Sequence, residues 1–464
     1  MDSESLIAQQ LLSDPRVAQA TKLLTDALAD HSAKLSARGP KPELAVPYQK
    51  CLETFAGLRG NTLFFPYLGS GAGQGSLVEL TDGSVKYDMI TGIGVHAMGH
   101  ANSELLSELV PAVLSDTVMQ GNLQQNTESL LLSKQWVAIA NRNGASLEHC
   151  FLSSSGAMAN ENAFKILFQH RTESSRILAF ENAFAGRSHL TGQVTDRPKN
   201  RQGQPLTVPV DYAPFFDAER SEESTQKTLQ TVERYLNRYP GTHCGFIMEL
   251  VQGEGGYYSA PREYFVALCE LLKKHQVPIF FDEIQTFGRT YAPFAFQMLE
   301  LDSFADVVSV GKMSQVCATF FRKEFNPKPG LLSQTFTSST TAIVASCWIL
   351  QKLIEGNYYG PEGRIADIHR RFVARFEAIH AKAPDRISGP WGIGGMIAFT
   401  PLDGSAESAK KVLYALYEAG VIAFVAGVGP ARVRFLPPFL SLTNDEIENV
   451  CDILESVLLS KAFN

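Results

Sequence analysis

Between about residues 100 and 330 the chain alternates short apolar runs with longer amphipathic stretches. The runs ILAF, GFIMELV, PIFFDEI and DVVSVG are brief and rich in β-branched or aromatic residues, which predicts strands. Between them, ESTQKTLQTVERYLNRY and REYFVALCELLKKH carry apolar residues at helical spacing, which predicts helices. This alternation predicts an α/β fold, a mostly parallel sheet flanked by helices. Residues 1 to about 50 also show helical spacing, in LIAQQLL and ATKLLTDALAD, with SARGPKPELAVP as a Pro/Gly-rich connector. A Gly-rich run, LGSGAGQGS (68–76), precedes SLVELTDGSVKYDMITG, which reads as strand, Asp82-Gly83 hairpin turn and strand. Towards the C-terminus, helices are predicted over about 342–355 and 362–383. The segments IGGMIAFTPL, VIAFVAG and VRFLPPF, with a last helix from Asn444, predict a smaller α+β domain. The expected division is an N-terminal helical segment and connector over 1–75, a large domain over 76–340 and a small C-terminal domain over 341–464.

Composition narrows the class. The 464 residues are 45% hydrophobic and 19% charged, the balance of a globular chain with a sizeable core. With 41 basic and 48 acidic side chains the net charge is -7, and no basic run stands out, so no nucleic-acid partner is expected. No apolar stretch approaches the roughly 20 residues that a membrane span needs. The start, MDSESLIAQQLLSDPRV, lacks a basic region followed by an apolar block, so no signal peptide is expected. Seven scattered cysteines without CxxC pairs predict reduced thiols in a cytoplasmic protein rather than disulfides or a zinc site. The ten histidines form no metal-binding spacing.

Three predicted strands end in reactive groups: GFIM in Glu249, PIFF in Asp282 and Glu283, DVVSV in Gly311-Lys312. Ligands of parallel α/β sheets collect at such carboxyl ends. A lysine beside Val308 and Val310 loses hydration, which exposes its amine lone pair and suits it to forming a Schiff base with an aldehyde cofactor. Pyridoxal phosphate would further need an anion for its ring nitrogen, a flat side chain over the ring and donors for its phosphate. Asp282 offers the anion. Ser153-Ser154-Ser155-Gly156-Ala157, just before a predicted helix, offers hydroxyls and backbone N–H groups. Phe184, after ILAF, offers a ring to stack. Each feature alone has a plain structural reading (an ordinary helix start, a core phenylalanine, a surface lysine); their combination points to one site.

At these residues the chain resembles the class III (ω-) aminotransferases, closest to the 4-aminobutyrate and lysine ω-aminotransferase branches. The resemblance covers roughly residues 75–455. MELVQGEGG, FFDEIQTFGRT and DVVSVGK follow the family's motifs in order, and SGAMANENAFK, YDMITGIGVHAMGH and VRFLPPF are similar to further elements. It implies a fold type I architecture and pyridoxal 5'-phosphate as cofactor. Lys312 would carry the cofactor and move a proton. Asp282 would keep the pyridine nitrogen protonated, and Gln285 would contact the ring's phenolic oxygen. Ser155, Gly156 and Ala157 would bind the phosphate, and Phe184 would stack on the ring. Thr335 would reach the phosphate of a neighbouring subunit, implying a homodimer with shared sites. Arg187 would hold the distal carboxylate of an ω-amino acid. Arg434 would hold the α-carboxylate of 2-oxoglutarate or glutamate, with Glu249 as its gating partner; Arg432, two residues earlier on the same strand face, could share that role. Planar guanidinium suits these tasks because it binds carboxylate in a bidentate fork.

The chain also departs from the family. Ala185 stands where histidine or tryptophan is common, Leu250 replaces a proline, and TFGRT lacks one glycine. After Thr335-Phe336 the chain has Thr337-Ser338-Ser339-Thr340 instead of Gly-Gly-Asn-Pro, so another hydroxyl of that run could serve the phosphate. The function implied is ping-pong transfer of an amino group from an ω-amino acid of the 4-aminobutyrate, lysine or ornithine type to a 2-oxo acid acceptor, 2-oxoglutarate. The alternatives are an aminomutase or racemase on the same fold, which would keep nitrogen on its product, and a non-catalytic cofactor-binding protein, which would need neither Lys312 nor Asp282.

Overall fold

The computed structural model describes residues 6–115, 118–119, 121 and 123–463. The first five residues, part of the start MDSESLIAQQLLSDPRV, lie outside them. Packing divides the chain into two compact units. One comprises residues 1–115, 367–390 and 395–464; the other comprises 116–366 and 391–394. They are called the composite unit and the sheet unit below.

The sheet unit is built on seven strands: β1 (His149–Ser153), β2 (Arg176–Phe180), β3 (Val210–Ala213), β4 (His243–Met248), β5 (Ile279–Glu283), β6 (Val307–Val310) and β7 (Cys317–Phe321). Their order is β1-β7-β6-β5-β4-β2-β3. β7 runs antiparallel to both its neighbours and the other pairs are parallel. The four predicted apolar runs are β2, β4, β5 and β6. The strand residues of β4, β5 and β6 are buried throughout. A strand buried on both faces gains from apolar side chains at every position, which is why these runs are continuous rather than alternating. The helix α1 (Gly156–His170) lays Ala163, Phe164, Ile166 and Leu167 against Ile177, Ala179, Ile247 and Phe280 of the sheet. At 25 cal/mol per Å², each such large apolar side chain contributes about 2 kcal/mol on burial.

In the composite unit, the predicted hairpin is present as strands Leu77–Leu80 and Val85–Asp88. Its turn is closed by Ser84 N–H and hydroxyl donating to Asp82 Oδ1 at 2.9 and 2.6 Å, with Gly83 at φ +81°. The Gly-rich run adds a third strand, Gly69–Gln74, not foreseen from its composition. A Cβ on Gly73 would sit 2.4 Å from His100 Cβ and 2.8 Å from Leu77 O, so the close approach requires glycine there.

The division differs from the expected boundaries at 75/76 and 340/341. Residues 76–115 join the C-terminal segments because Val421–Ile422 pairs in parallel with Tyr87 and Asp88. Lys86 Nζ, buried, donates to Tyr417 O at 2.8 Å, and Tyr417 hydroxyl donates to Pro66 O at 2.7 Å. The helix Thr340–Glu355 belongs with the sheet unit. Pairings between distant segments leave no local pattern, so periodicity could not have located these borders. Among the described residues no helix is long and apolar enough to cross a membrane.

Candidate active site

β4, β5 and β6 lie side by side and parallel, so their carboxyl ends open on one edge. The register sets Phe281 against Met248 and Asp282 against Ser309. Glu249 follows Met248, and Lys312 stands two residues beyond Val310. Lys312 begins a short turn, Lys312–Ser314, at φ +55°, and Gln315 closes it at φ +62°. Left-handed backbone at a residue with a Cβ costs on the order of 1 kcal/mol, and such strain gathers at functional sites.

Asp282 and Glu283 are adjacent, so the pleat sends them to opposite faces. Asp282 Oδ1 accepts from Ile284 N–H at 2.9 Å and Oδ2 accepts from Asn160 Nδ2 at 2.7 Å. Burial pushes its carboxyl up to about 6, while the Ile284 N–H, the Asn160 amide and the Lys312 charge pull it back. Glu283 accepts from Ala295 N–H at 3.0 Å, Phe296 N–H at 2.9 Å and the Thr286 hydroxyl. It caps the Ala295–Met298 turn; burial pushes it up to about 7. Glu249 accepts from Phe184 N–H at 2.8 Å and Gly253 N–H at 3.0 Å. Burial, with the charge of Asp282, pushes it up to about 8 against those two donors.

The segment Phe184–Arg187 is pinned from several sides. Glu249 holds the Phe184 N–H, Asn160 donates to Ala185 O at 2.8 Å, and Thr195 hydroxyl accepts from Ala185 N–H at 3.0 Å. The Arg187 guanidinium lies 5.8 Å from the centroid of the Phe184 ring, and Arg187 is exposed. Ser155 caps α1, accepting from Met158 N–H at 3.3 Å. Gly156 packs on Ile284, where a Cβ would lie 3.0 Å from Cγ2. The buried Gln285 side chain crosses Gly253 so closely that a Cβ there would sit 2.6 Å from Oε1.

Within the run after β7, Thr335 is exposed, whereas Thr337 is buried, Ser339 caps a helix and Thr340 accepts from Asn126. Arg434 is in the composite unit, on the strand Arg432–Phe435, where it pairs with Ala398 and Phe424. It is 0% exposed, and Arg432, on the same face, 1%. Glu249, Asp282, Lys312, Ser155–Ala157, Phe184, Gln285, Arg187 and Thr335 all belong to the sheet unit. In the sequence Asn160 stands out only as part of the SGAMANENAFK motif. A polar residue one turn past Gly156, on the sheet-facing side of a helix, was the signal that it mattered.

The residues fit pyridoxal phosphate. A buried carboxylate with one hydrogen bond on each oxygen lies within reach of the Lys312 charge. Beside it are an aromatic ring on a pinned loop and the N-terminus of a 15-residue helix, whose free N–H groups and dipole favour an anion. Among the described residues no group of three or more His, Cys, Asp or Glu is placed to hold a metal ion.

Comparison with known proteins agrees with this geometry. The profile of the class-III aminotransferases matches residues 66–458. The acetylornithine aminotransferase of Archaeoglobus fulgidus is 28% identical over 388 residues, covering 82% of this chain and 93% of that one. That of Prochlorococcus marinus is 26% identical over 383 residues, covering 80% and 88%. The solved lysine aminotransferase from M. tuberculosis has the same fold, with a TM-score of 0.77 at 23% identity, covering 88% of this chain and 98% of that one. The chain therefore belongs to the class-III aminotransferases, enzymes of fold type I that depend on pyridoxal phosphate and move an amino group from a small amino donor to a keto acid.

Proposed function

We propose that the chain transfers the amino group of an ω-amino acid of the lysine, ornithine or 4-aminobutyrate type to 2-oxoglutarate by a ping-pong cycle. The observation that carries the donor class is Arg187. Its exposed guanidinium stands beside the Phe184 ring on a loop fixed at three backbone positions, which supports a role in holding a carboxylate remote from the reacting amine. The names of the relatives, acetylornithine and lysine aminotransferase, agree with a donor that carries its amine at the end of a chain.

When bound, pyridoxal phosphate supplies the aldehyde that accepts the amine and a ring that draws charge from the adjacent carbon. Lys312 would hold the cofactor through its Nζ, and its amine would move the proton at the substrate carbon. Asp282 would pair with the protonated ring nitrogen, and Gln285 would contact the phenolic oxygen. Phe184 would stack on the ring, and Ser155, Gly156 and Ala157 would bind the phosphate at the start of α1. Arg434 binds the acceptor's α-carboxylate. Glu249 would serve as the gating carboxylate between donor and acceptor.

We assign the working form to a homodimer in the cytoplasm. Leu23, Leu24, Val46, Phe55 and Leu58 on the N-terminal helices are exposed and call for a covering surface. The exposed Thr335 is available to a partner's phosphate. All seven cysteines are free thiols, which suits a reducing compartment.

The test is a donor panel of 4-aminobutyrate, lysine, ornithine, acetylornithine and β-alanine. Each is read by loss of the visible cofactor band and by glutamate formed after 2-oxoglutarate is added. One donor that bleaches the band, with 2-oxoglutarate restoring it, supports the reading. Isomerised donor with no glutamate would replace transferase by isomerase.

A further inference from the structure

Asn160 is buried on α1. Its Nδ2 carries two hydrogens, and each has an acceptor: Asp282 Oδ2 at 2.7 Å and Ala185 O at 2.8 Å. Its Oδ1 is buried without a hydrogen-bond partner among the described residues. Turning the amide over would keep the shape but point an oxygen at a carboxylate and a carbonyl, neither of which has a hydrogen to give. The surroundings therefore demand a donor at this corner, at the cost of an orphaned oxygen. An apolar side chain would fill the space but leave Asp282 Oδ2 and Ala185 O without this donor, so the amide has a task other than packing.

We propose that Asn160 is a positioning residue for the cofactor site: one amide fixes the orientation of the Asp282 carboxylate and ties it to the loop that carries Phe184. The inference rests on the assignment of Asp282 to the ring nitrogen. A hydrogen bond donated to a carboxylate favours its charged form, the form that can pair with a protonated pyridine. Asp282 is also faced by the Ile284 N–H and by Lys312, which favour the charged form, and by Glu249, whose charge opposes it. Glu283, next in the chain, turns to the other face of the sheet, where its oxygens are taken by Thr286, Ala295 and Phe296. Without Asn160, Asp282 takes up a proton at a higher pH.

The test compares Asn160→Ala and Asn160→Asp with Asn162→Ala as holoenzymes. Asn162 is equally buried on the same helix but donates to Ser153 Oγ, at 3.0 Å. The readouts are the cofactor dissociation constant by equilibrium dialysis from about pH 6 to about pH 9, the pH midpoint of the visible band, and Tm. Asn160→Ala should weaken cofactor binding about ten-fold, with the loss setting in at a higher pH than in the wild type. Asn160→Asp should weaken it further, because a second carboxylate then faces Asp282. Asn162→Ala should lower Tm and leave affinity and midpoint in place. If the Asn160 variants lower Tm while keeping wild-type affinity and midpoint, Asn160 merely packs and the proposal is overturned. Asp282→Asn is measured alongside. If it binds and absorbs as the wild type does, the ring-nitrogen assignment falls and takes the proposal with it. If it loses the cofactor while the Asn160 variants do not, only the proposal falls.

Discussion

The strands β4, β5 and β6 are continuous apolar runs and the helices Pro15–Ser32 and Ala45–Arg59 carry apolar residues at helical spacing, and these apolar surfaces meet opposite fates. Around the strand ends the side chains are buried and the carboxylates of Glu249, Asp282 and Glu283 each accept at least two hydrogen bonds from the same chain. On the two helices Leu23, Leu24, Val46, Phe55 and Leu58 stay exposed. Apolar spacing says which face of an element wants cover; it does not say whether the chain itself supplies it. The carboxylates at the strand ends find their donors within the chain, whereas the apolar faces of the helices stay open to solvent.

The largest expected effect lies at the completed region. Lys312→Ala should lower turnover by on the order of 10³-fold or more, since the proposed mechanism gives both the cofactor link and the proton to this one side chain. Steady-state assays on the folded variant check this, and residual transamination near the wild-type rate would remove Lys312 from the chemistry. Next comes Glu283→Ala, which leaves the Ala295 and Phe296 N–H groups buried without their acceptor and should cost about 2–4 kcal/mol in denaturant unfolding. A loss under about 0.5 kcal/mol would show that the cap does not support the site.

How much of this was legible follows from where each signal resides. The strand ends could be read because a charge at the end of an apolar run is conspicuous: Glu249, Asp282 and Lys312 each break such a run. The opposite tasks of Asp282 and Glu283 were not legible, because alternation says they part but not which face holds the site. Asn160 was hidden inside a helix start, where a polar residue is ordinary until its face is known. The strand Gly69–Gln74 was masked by glycines, whose low strand preference conceals a close backbone approach. The unit borders depend on Val421–Ile422 meeting Tyr87 and Asp88, a pairing that no local pattern announces.

A subtler effect concerns pH. Burial holds Glu249 at about 8 in the folded chain, against about 4 when unfolded. Between those values the unfolded chain sheds a proton that the folded chain keeps, so this group drains stability as pH rises through that window. Glu249→Gln removes the drain. The amide has one acceptor oxygen where the carboxylate used two, so one N–H loses its partner, and the variant should start below the wild type at pH 5 and gain on it towards pH 8. Thermal unfolding across that range checks the sign of the difference, and a gap that widens with pH would contradict it. The smallest effect on the chain itself is expected from Leu23→Asp with Leu24→Asp. At exposed positions the cost to the fold should stay within about 0.5 kcal/mol, while sedimentation should show a weakened assembly. A large loss of fold stability with unchanged assembly would mean that the helices are covered by their own chain.

The central claim is that the turn after β6 carries the cofactor. Borohydride reduction of the holoenzyme, followed by proteolysis and mass spectrometry, tests it most directly, because reduction makes the link between lysine and pyridoxal phosphate permanent. The account predicts the adduct on the peptide containing Lys312 and no adduct in Lys312→Ala. An adduct on a different lysine, or none in a protein that still shows the visible band, would contradict it.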